Sequence, residues 1–303
     1  MKYSGIGGQA VMEGVMMKNG TQYAVAVRKP DGEIIVQKKE YRGILAGRAV
    51  RKLPFLRGVV NFLDSMVLGM RTLAYSASFY EEGQDEAIDE QKKKKRETVE
   101  MGVLTAVSLG AAIVLFMLLP YFITGLFKRW TDSQILLTVL EGALRLGIFF
   151  AYIVLISRLE DIRREFMYHG AEHKCINCIE HGMELTVNNV RKCSRLHKRC
   201  GTSFLFFVVC ISIVFFMLIR TDSALMRVVA RILLVPVIAG CAYEFLRLAG
   251  KSENALVHLL SRPGLALQKL TTREPDDAMI EVGIASVEAV YDWKAYLKDD
   301  GKS

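Results

Sequence analysis

The sequence predicts an α-helical membrane protein with about four transmembrane helices and a small cytoplasmic α+β part. Three observations predict it. The 303-residue chain is 51% hydrophobic and still 24% charged, with a mean hydropathy of +0.24, so its apolar residues must be gathered in blocks. Four blocks have the length for it, since about 20 apolar residues as helix cross a bilayer core. Finally, Lys and Arg flank those blocks unevenly. Together these exclude a disordered or fibrous chain and argue against an ordinary soluble enzyme.

From the N-terminus, residues 1–53 are expected to be a cytoplasmic region with a β-hairpin. The first twenty residues lack an apolar core of signal-peptide length, so no secretory signal is expected there. Residues 5–14 are rich in Gly without a following Gly-Lys-Ser/Thr. They fit a tight turn beside a strand rather than a phosphate loop. Two apolar runs, 23–27 and 33–36, flank Lys29-Pro30-Asp31-Gly32, a turn sequence, giving a hairpin over 21–39.

Residues 54–80 have helical period. Phe55, Val59, Phe62, Leu63, Met66, Met70 and Leu73 share one face. Such a helix lies on a membrane surface or packs on a bundle. Residues 81–100 are a charged linker, acidic and then basic.

Residues 101–156 hold the first two predicted spans and 201–249 the last two. Segments 101–127 and 201–219 carry no charge. Segment 135–156 carries Glu141 and Arg145, and 225–248 carries Arg227, Arg231, Glu244 and Arg247. Charges facing lipid would be costly. Glu141 and Arg145, four apart, share a helix face. Glu141 and Arg231 each lie early in spans running the same way, so an interhelical pair is expected. A run of Lys92 to Arg96 precedes the first span, and the 157–200 loop has nine Lys and Arg. The positive-inside rule therefore puts the termini and that loop in the cytoplasm of a bacterial inner-membrane protein. Net charge +8 is then explained by topology. The expected partner is the lipid bilayer, with no nucleic acid; a homo-oligomer is compatible with the sequence. The region 250–303 is cytoplasmic, with a helix over 276–291 whose stripe is Ile280, Ile284, Val287 and Val290.

The chemistry is concentrated in the His/Cys loop 157–200. Four of the five histidines are there, and the six cysteines all lie between 175 and 241. In a reducing compartment those thiols suit metal or thiol chemistry better than structural disulfides. Three readings compete with a plain basic loop of hydrogen-bonded histidines. His169-x-x-Glu172-His173 has the order of an inverted zincin motif. On a helix both imidazoles reach one ion, Zn2+ or a similar divalent metal, and Glu172 is placed as general base. The third ligand would be His197 or Cys200, with Glu180 behind them. Alternatively, Cys175-x-x-Cys178 and His197-x-x-Cys200 have the spacing of a structural zinc site. Lastly, Cys175-x-x-Cys178 is a candidate dithiol, without the βαβ surroundings that usually accompany one. A straight continuation of the second span would carry His169 about 20 Å past the membrane edge. Cys200 directly precedes the third span, so a shared ion requires the chain to bend back.

Several segments together resemble one family: Gly7 to Met16, Pro54 to Gly58, Tyr168-His-Gly-Ala-Glu-His-Lys174, His197-Lys-Arg-Cys-Gly-Thr-Ser203 and Leu270 to Asp277. This is the YqhQ-like family of bacterial multi-pass membrane proteins, labelled metal-dependent enzymes without an established substrate. The resemblance implies that His169, Glu172, His173, Lys174, His197, Arg199 and Cys200 belong to a shared motif, and that Cys175 and Cys193 are peculiar to this chain. The expected function is a metal-dependent, hydrolytic enzyme at the cytoplasmic membrane face. Its metal ligands would be His169, His173 and His197 or Cys200, its base Glu172, and Arg199 or Lys174 would stabilise an oxyanion. The alternative is a membrane scaffold or assembly factor with a structural metal.

Overall fold

The computed structural model describes residues 3–45, 52–80, 90–219, 221, 223–252 and 254–300. Much of the predicted linker, 81–89, lies outside the described residues. The chain is mostly helical, with one small antiparallel sheet. It divides into two compact units, Met1–Tyr80 with Ile153–Val208 and Pro236–Ser303, and Glu81–Tyr152 with Val209–Val235.

In the first unit, four strands form a meander: β1 (Gly7–Val11), β2 (Gly14–Asn19), β3 (Gln22–Arg28) and β4 (Ile34–Glu40). β3 and β4 are the expected hairpin, in a register that sets Val25 opposite Gln37. The glycine-rich segment adds two further strands, with Gly8 opposite Met17. Side chains alternate across the sheet. Ala10, Val15, Met17, Ala24 and Ala26 enter one core. Val11, Met16, Val25 and Val27 enter another on the opposite face.

The first of these cores is closed by two helices, α5 (Glu160–Glu180) and α10 (Asp277–Val290), the latter capped by Asp276 accepting from the Met279 N–H. Leu68 of α1 (Leu56–Ala77) closes the second. The sheet is thus covered on both faces, which explains why β3 is almost wholly buried.

Helix α1 does not bury its apolar stripe. Its buried side is Gly58, Val60, Asp64, Leu68, Gly69, Thr72 and Ser76. Phe62, Leu63 and Leu73 are exposed. The reason lies at the small residues. A Cβ built at Gly58 would stand 2.7 Å from Tyr243, and one at Gly69 would stand 2.6 Å from the Gln9 amide. The helix is seated by close approach, and polar bonds such as Arg57 Nε to Glu244 at 2.6 Å secure it.

The second unit is built from apolar helices. α2 (Glu90–Ile113) runs through one wide turn, Val114–Leu118, into α3 (Leu119–Leu126). α4 is Gln134–Ile156. Short α6 (Val187–Lys192) follows α5, and then α7 (Gly201–Met217), α8 (Ala224–Lys251), α9 (Ala255–Thr271) and terminal α11 (Trp293–Asp300) complete the chain. Three stretches are long and apolar enough to cross a membrane: Gly102–Arg129, Gln134–Ile156 and Leu225–Gly250. The expected third span, α7, is a shorter apolar helix of 17 residues. Leu104, Val107, Leu155 and Leu233 are 63–70% exposed. Side chains of this kind need a nonaqueous surround.

The expected pair of charges is present in this unit. Arg231 Nη2 donates to Glu141 Oε2 at 2.7 Å, and Arg145 Nη2 donates to Oε1 at 2.8 Å. Arg145 also donates to the Phe116 carbonyl and the Ser212 hydroxyl, both at 2.9 Å. One carboxylate therefore holds two buried guanidinium groups apart. Removing it leaves buried like charges facing each other, and breaking such a pair costs roughly 3–5 kcal/mol. Glu141→Leu is expected to lower the thermal midpoint in detergent sharply, while Asp132→Asn, at an exposed position, leaves it within a few degrees. Equal midpoints for wild type and Glu141→Leu would contradict the network.

Candidate metal centre

The His/Cys region is a helix rather than a loop. α4 ends at Ile156, Ser157 to Leu159 break the run with Leu159 extended, and α5 restarts at Glu160 with two acidic residues in its first turn, favourable at a helix N-terminus. The helix of the expected second span therefore stops before α5 begins. From Gly170 to Glu180 every residue of α5 is buried.

His169 and His173 are one turn apart on α5, with ring centroids 4.4 Å apart. Each ring is fixed by a backbone carbonyl. His169 Nδ1 lies 2.9 Å from the Thr271 oxygen and His173 Nδ1 2.6 Å from the Arg195 oxygen. A carbonyl can only accept, so both Nδ1 atoms carry a proton, and in the neutral ring each Nε2 is the electron-pair donor. Cys200 Sγ stands 3.3 Å from His169 Nε2. The three donor atoms of His169, His173 and Cys200 all lie within 4.8 Å of one another. Tetrahedral zinc with Zn–N about 2.0–2.1 Å and Zn–S about 2.3 Å sets its ligands roughly 3.3–3.6 Å apart, so the donor set fits such an ion.

Glu172 borders this group. Its Oε2 is 3.6 Å from His173 Nε2 and 3.9 Å from His169 Nε2, but it is not one of the three mutually close donors. β1 presses on it from behind: a Cβ at Gly8 would stand 2.7 Å from Glu172 Cγ. Gly170 has the stricter demand. A Cβ there would collide with the Arg273 carbonyl. This contact, with Arg273 N–H donating to Phe166 O at 2.8 Å, lays the chain after α9 across α5 and brings the Thr271 oxygen to His169.

The charges of the group are coupled. Burial opposes ionisation of both members of the Cys200–His169 pair. Their mutual attraction outweighs it, raising His169 to about 9 and holding the Cys200 thiol well below its ordinary range. The pair favours the thiolate, the form that binds metals, facing a protonated His169 that gives up its Nε2 proton when an ion is bound.

The remaining predicted residues go elsewhere. His197 turns to Glu180, with Nε2 3.5 Å from Oε2. Burial lowers its pKa. Arg199 donates to Glu180 Oε1 at 2.5 Å and lies over the Tyr3 ring at 4.3 Å. Ser4 donates to the same oxygen through its N–H at 2.9 Å and its hydroxyl at 2.7 Å. Lys174 donates to the Arg191 carbonyl at 2.9 Å and pairs with Glu274 at 2.8 Å. The fold thus brings His169, Glu172, His173 and Cys200 together, and leaves His197, Arg199 and Lys174 in two neighbouring polar clusters. Cys175 packs against Gly283 of α10. Cys178 Sγ donates to the Glu184 carbonyl at 3.4 Å, and Cys193 Sγ to the Asn189 carbonyl at 3.3 Å. The carbonyls of Thr271 and Arg195 carry no residue-type signal, and Gly8, expected in a tight turn, stands instead in β1 where it lets Glu172 approach.

A family model described as "Protein of unknown function (DUF1385)" matches residues 53–293. The chain belongs to that family. It is also 36% identical over 286 residues to "Uncharacterized protein YqhQ" of Bacillus subtilis (strain 168), covering 92% of this chain and 90% of that protein. No solved structure matches.

Two outcomes follow from this geometry. Gly170→Ala is expected to displace the segment at Arg273 and lower stability by more than the usual ~1 kcal/mol of a point mutation, read as a loss of thermal midpoint; an unchanged midpoint would contradict the contact. Burial raises the pKa of Glu180, but His197, Ser4 and Arg199 more than offset this and hold it at about 2, against an ordinary 4.5. The folded value lies below the unfolded one. The carboxylate therefore stabilises the fold above pH about 4.5, and the contribution, on the order of 3 kcal/mol, vanishes as pH falls toward 2. Glu180→Gln should flatten the acid limb of a stability–pH curve across that window.

Proposed function

We propose that this member of the DUF1385 family is a metal-dependent hydrolase of the bacterial cytoplasmic membrane. One observation carries the reading: three donors on α5 and at Cys200 converge within 4.8 Å, and a carboxylate borders them without joining them. Three protein ligands beside an open position are the arrangement of catalytic rather than closed structural zinc. Zn2+ or a similar divalent ion held there would supply Lewis acidity and lower the pKa of water toward ~7.

The chain's own residues do the rest. Thr271 and Arg195 carbonyls hold the two imidazoles in the binding tautomer. Hydrogen bonds of this kind from the far ring nitrogen raise ligand basicity and fix ring orientation. Glu172 Oε2 takes up and returns a proton as general base and acid. His169, with 16% of its side chain exposed against 2% for His173 and 6% for Glu172, is the side open to a substrate. Lys174 and Arg199 stay in their own ion pairs and shape the surroundings.

The chain crosses the membrane four times in this account. The 17 residues of α7 span about 26 Å, the short end of what crosses a bilayer core. Exposed Phe62, Leu63 and Leu73 suit α1 to the membrane surface. Both termini and the metal-centre region lie on the cytoplasmic side, following the Lys and Arg distribution. The bilayer is the partner, and no nucleic acid is involved.

The test uses purified full-length protein. Elemental analysis should find one equivalent of zinc or a similar ion in wild type, in Glu172→Gln and in Cys175→Ala, and none in His169→Ala or Cys200→Ser. Against a panel of chromogenic carboxyl and phosphoryl esters, wild type should turn over at least one, and Glu172→Gln should be slower by roughly 10²-fold or more. Metal loss in Cys175→Ala, or equal turnover in Glu172→Gln, would reject the reading in favour of a structural site.

A further inference from the structure

The second unit holds a cavity of about 300 Å³ among α3, α4, α7 and α8. Its wall carries three cationic side chains, Lys128, Arg227 and Arg231, and one carboxylate, Glu141. That carboxylate is already committed to both Arg231 and Arg145. The two guanidinium groups that share it are buried, so among the described residues this part of the cavity wall carries more positive than negative charge.

The hydrogen-bond inventory points the same way. Seven buried side-chain nitrogen or oxygen atoms among the described residues lack a partner. Four of them sit on residues lining this cavity: Arg231 Nε and Nη1, Arg227 Nε and Thr124 Oγ1. Arg231 is only 4% exposed. Arg145, by contrast, uses Nε, Nη1 and Nη2 on protein acceptors. Tyr121 and Phe216 lie 4.7 and 4.9 Å from the Arg231 guanidinium. Such faces attract a cation but offer no acceptor to its N–H edges. Leaving buried donors unmatched costs about 1–3 kcal/mol each, more for charged groups. Four such atoms on residues lining one cavity, beside an excess of positive charge among the described residues, point to an anion with several oxygens, which must part the wall to reach them because each is closed off from the open space.

We propose that this cavity binds a phosphate-bearing anion, with Arg231, Arg227 and Thr124 as its donors. Guanidinium edges match phosphate oxygens as forks, and a threonine hydroxyl adds a neutral donor. The cavity exceeds a lone phosphate, and Phe122, Leu137 and Ile219 line the rest of it. A phosphodiester headgroup with the beginning of its acyl chains fills such a space better than free phosphate does. This site is separate from the metal centre and does not depend on its assignment.

Thermal unfolding of the full-length protein in nonionic detergent tests it, with phosphatidylglycerol, phosphatidylcholine, inorganic phosphate and chloride as titrants. The expected result is saturable stabilisation by phosphatidylglycerol well beyond that by phosphatidylcholine. Stabilisation by inorganic phosphate alone would identify free phosphate as the source. Arg231→Lys keeps one bond to Glu141 and loses the Nε and Nη1 donors; it should weaken the midpoint response at least tenfold. Arg227→Gln and Thr124→Val leave the Glu141 network intact and should each weaken it by a smaller factor, which decides the matter if Arg231→Lys fails to fold. No anion-dependent shift in wild type, or unchanged responses in Arg227→Gln and Thr124→Val, would overturn the proposal and leave water in the cavity.

Discussion

Two backbone carbonyls decide what the His/Cys region can do. A histidine ring on a buried helix has two nitrogens, and only the partner of one settles the role of the other. Here Thr271 and Arg195 take the Nδ1 protons of His169 and His173. The carbonyls come from segments far from α5 in sequence, and each has to be delivered. The chain after α9 reaches α5 only because Gly170 has no side chain. The chain after α6 reaches it through Asn177, whose amide donates to the Ser194 and Leu196 carbonyls at 2.6 and 3.0 Å. With both rings turned the same way, Cys200 completes a three-donor group, and the sheet edge at Gly8 holds Glu172 beside it. Much of the first unit, from the meander to α10, buries or braces α5.

The second unit solves a different problem. Its helices expose long apolar faces, so its energetic risk lies in its few buried charges. Two arginines on one carboxylate is an arrangement of high stakes: paired, it ties α4 to α8; with any partner removed, it leaves an uncompensated ion in a low-dielectric medium. The same arrangement leaves Arg231 only partly satisfied, which gives the neighbouring cavity its anion-seeking character.

Much of this was legible in sequence where periodicity or residue type determined the outcome. The long apolar stretches, the β3–β4 hairpin, the α10 stripe and the Glu141–Arg231 pair all follow from spacing. His169, Glu172 and His173 share a helix face for the same reason. Other features were not legible because they depend on tertiary approach. β1 and β2 were hidden by glycines and methionines that do not alternate cleanly. The stripe of α1 was visible, but its burial was on the opposite side, because small residues let that side come closer. His197 and Cys200 were equal candidates by position; the fold separates them by giving His197 a carboxylate partner in Glu180. Nor does any residue code announce a backbone carbonyl as an imidazole anchor.

The central claim is that two imidazoles and one thiolate meet at a single divalent ion. X-ray absorption at the metal edge of the purified full-length protein reports this directly. A shell with one sulfur at about 2.3 Å and the remaining ligands nitrogen or oxygen at about 2.0–2.1 Å is the predicted result. Two or more sulfur neighbours, or protein that holds no divalent metal when purified from zinc-replete cells, would contradict it.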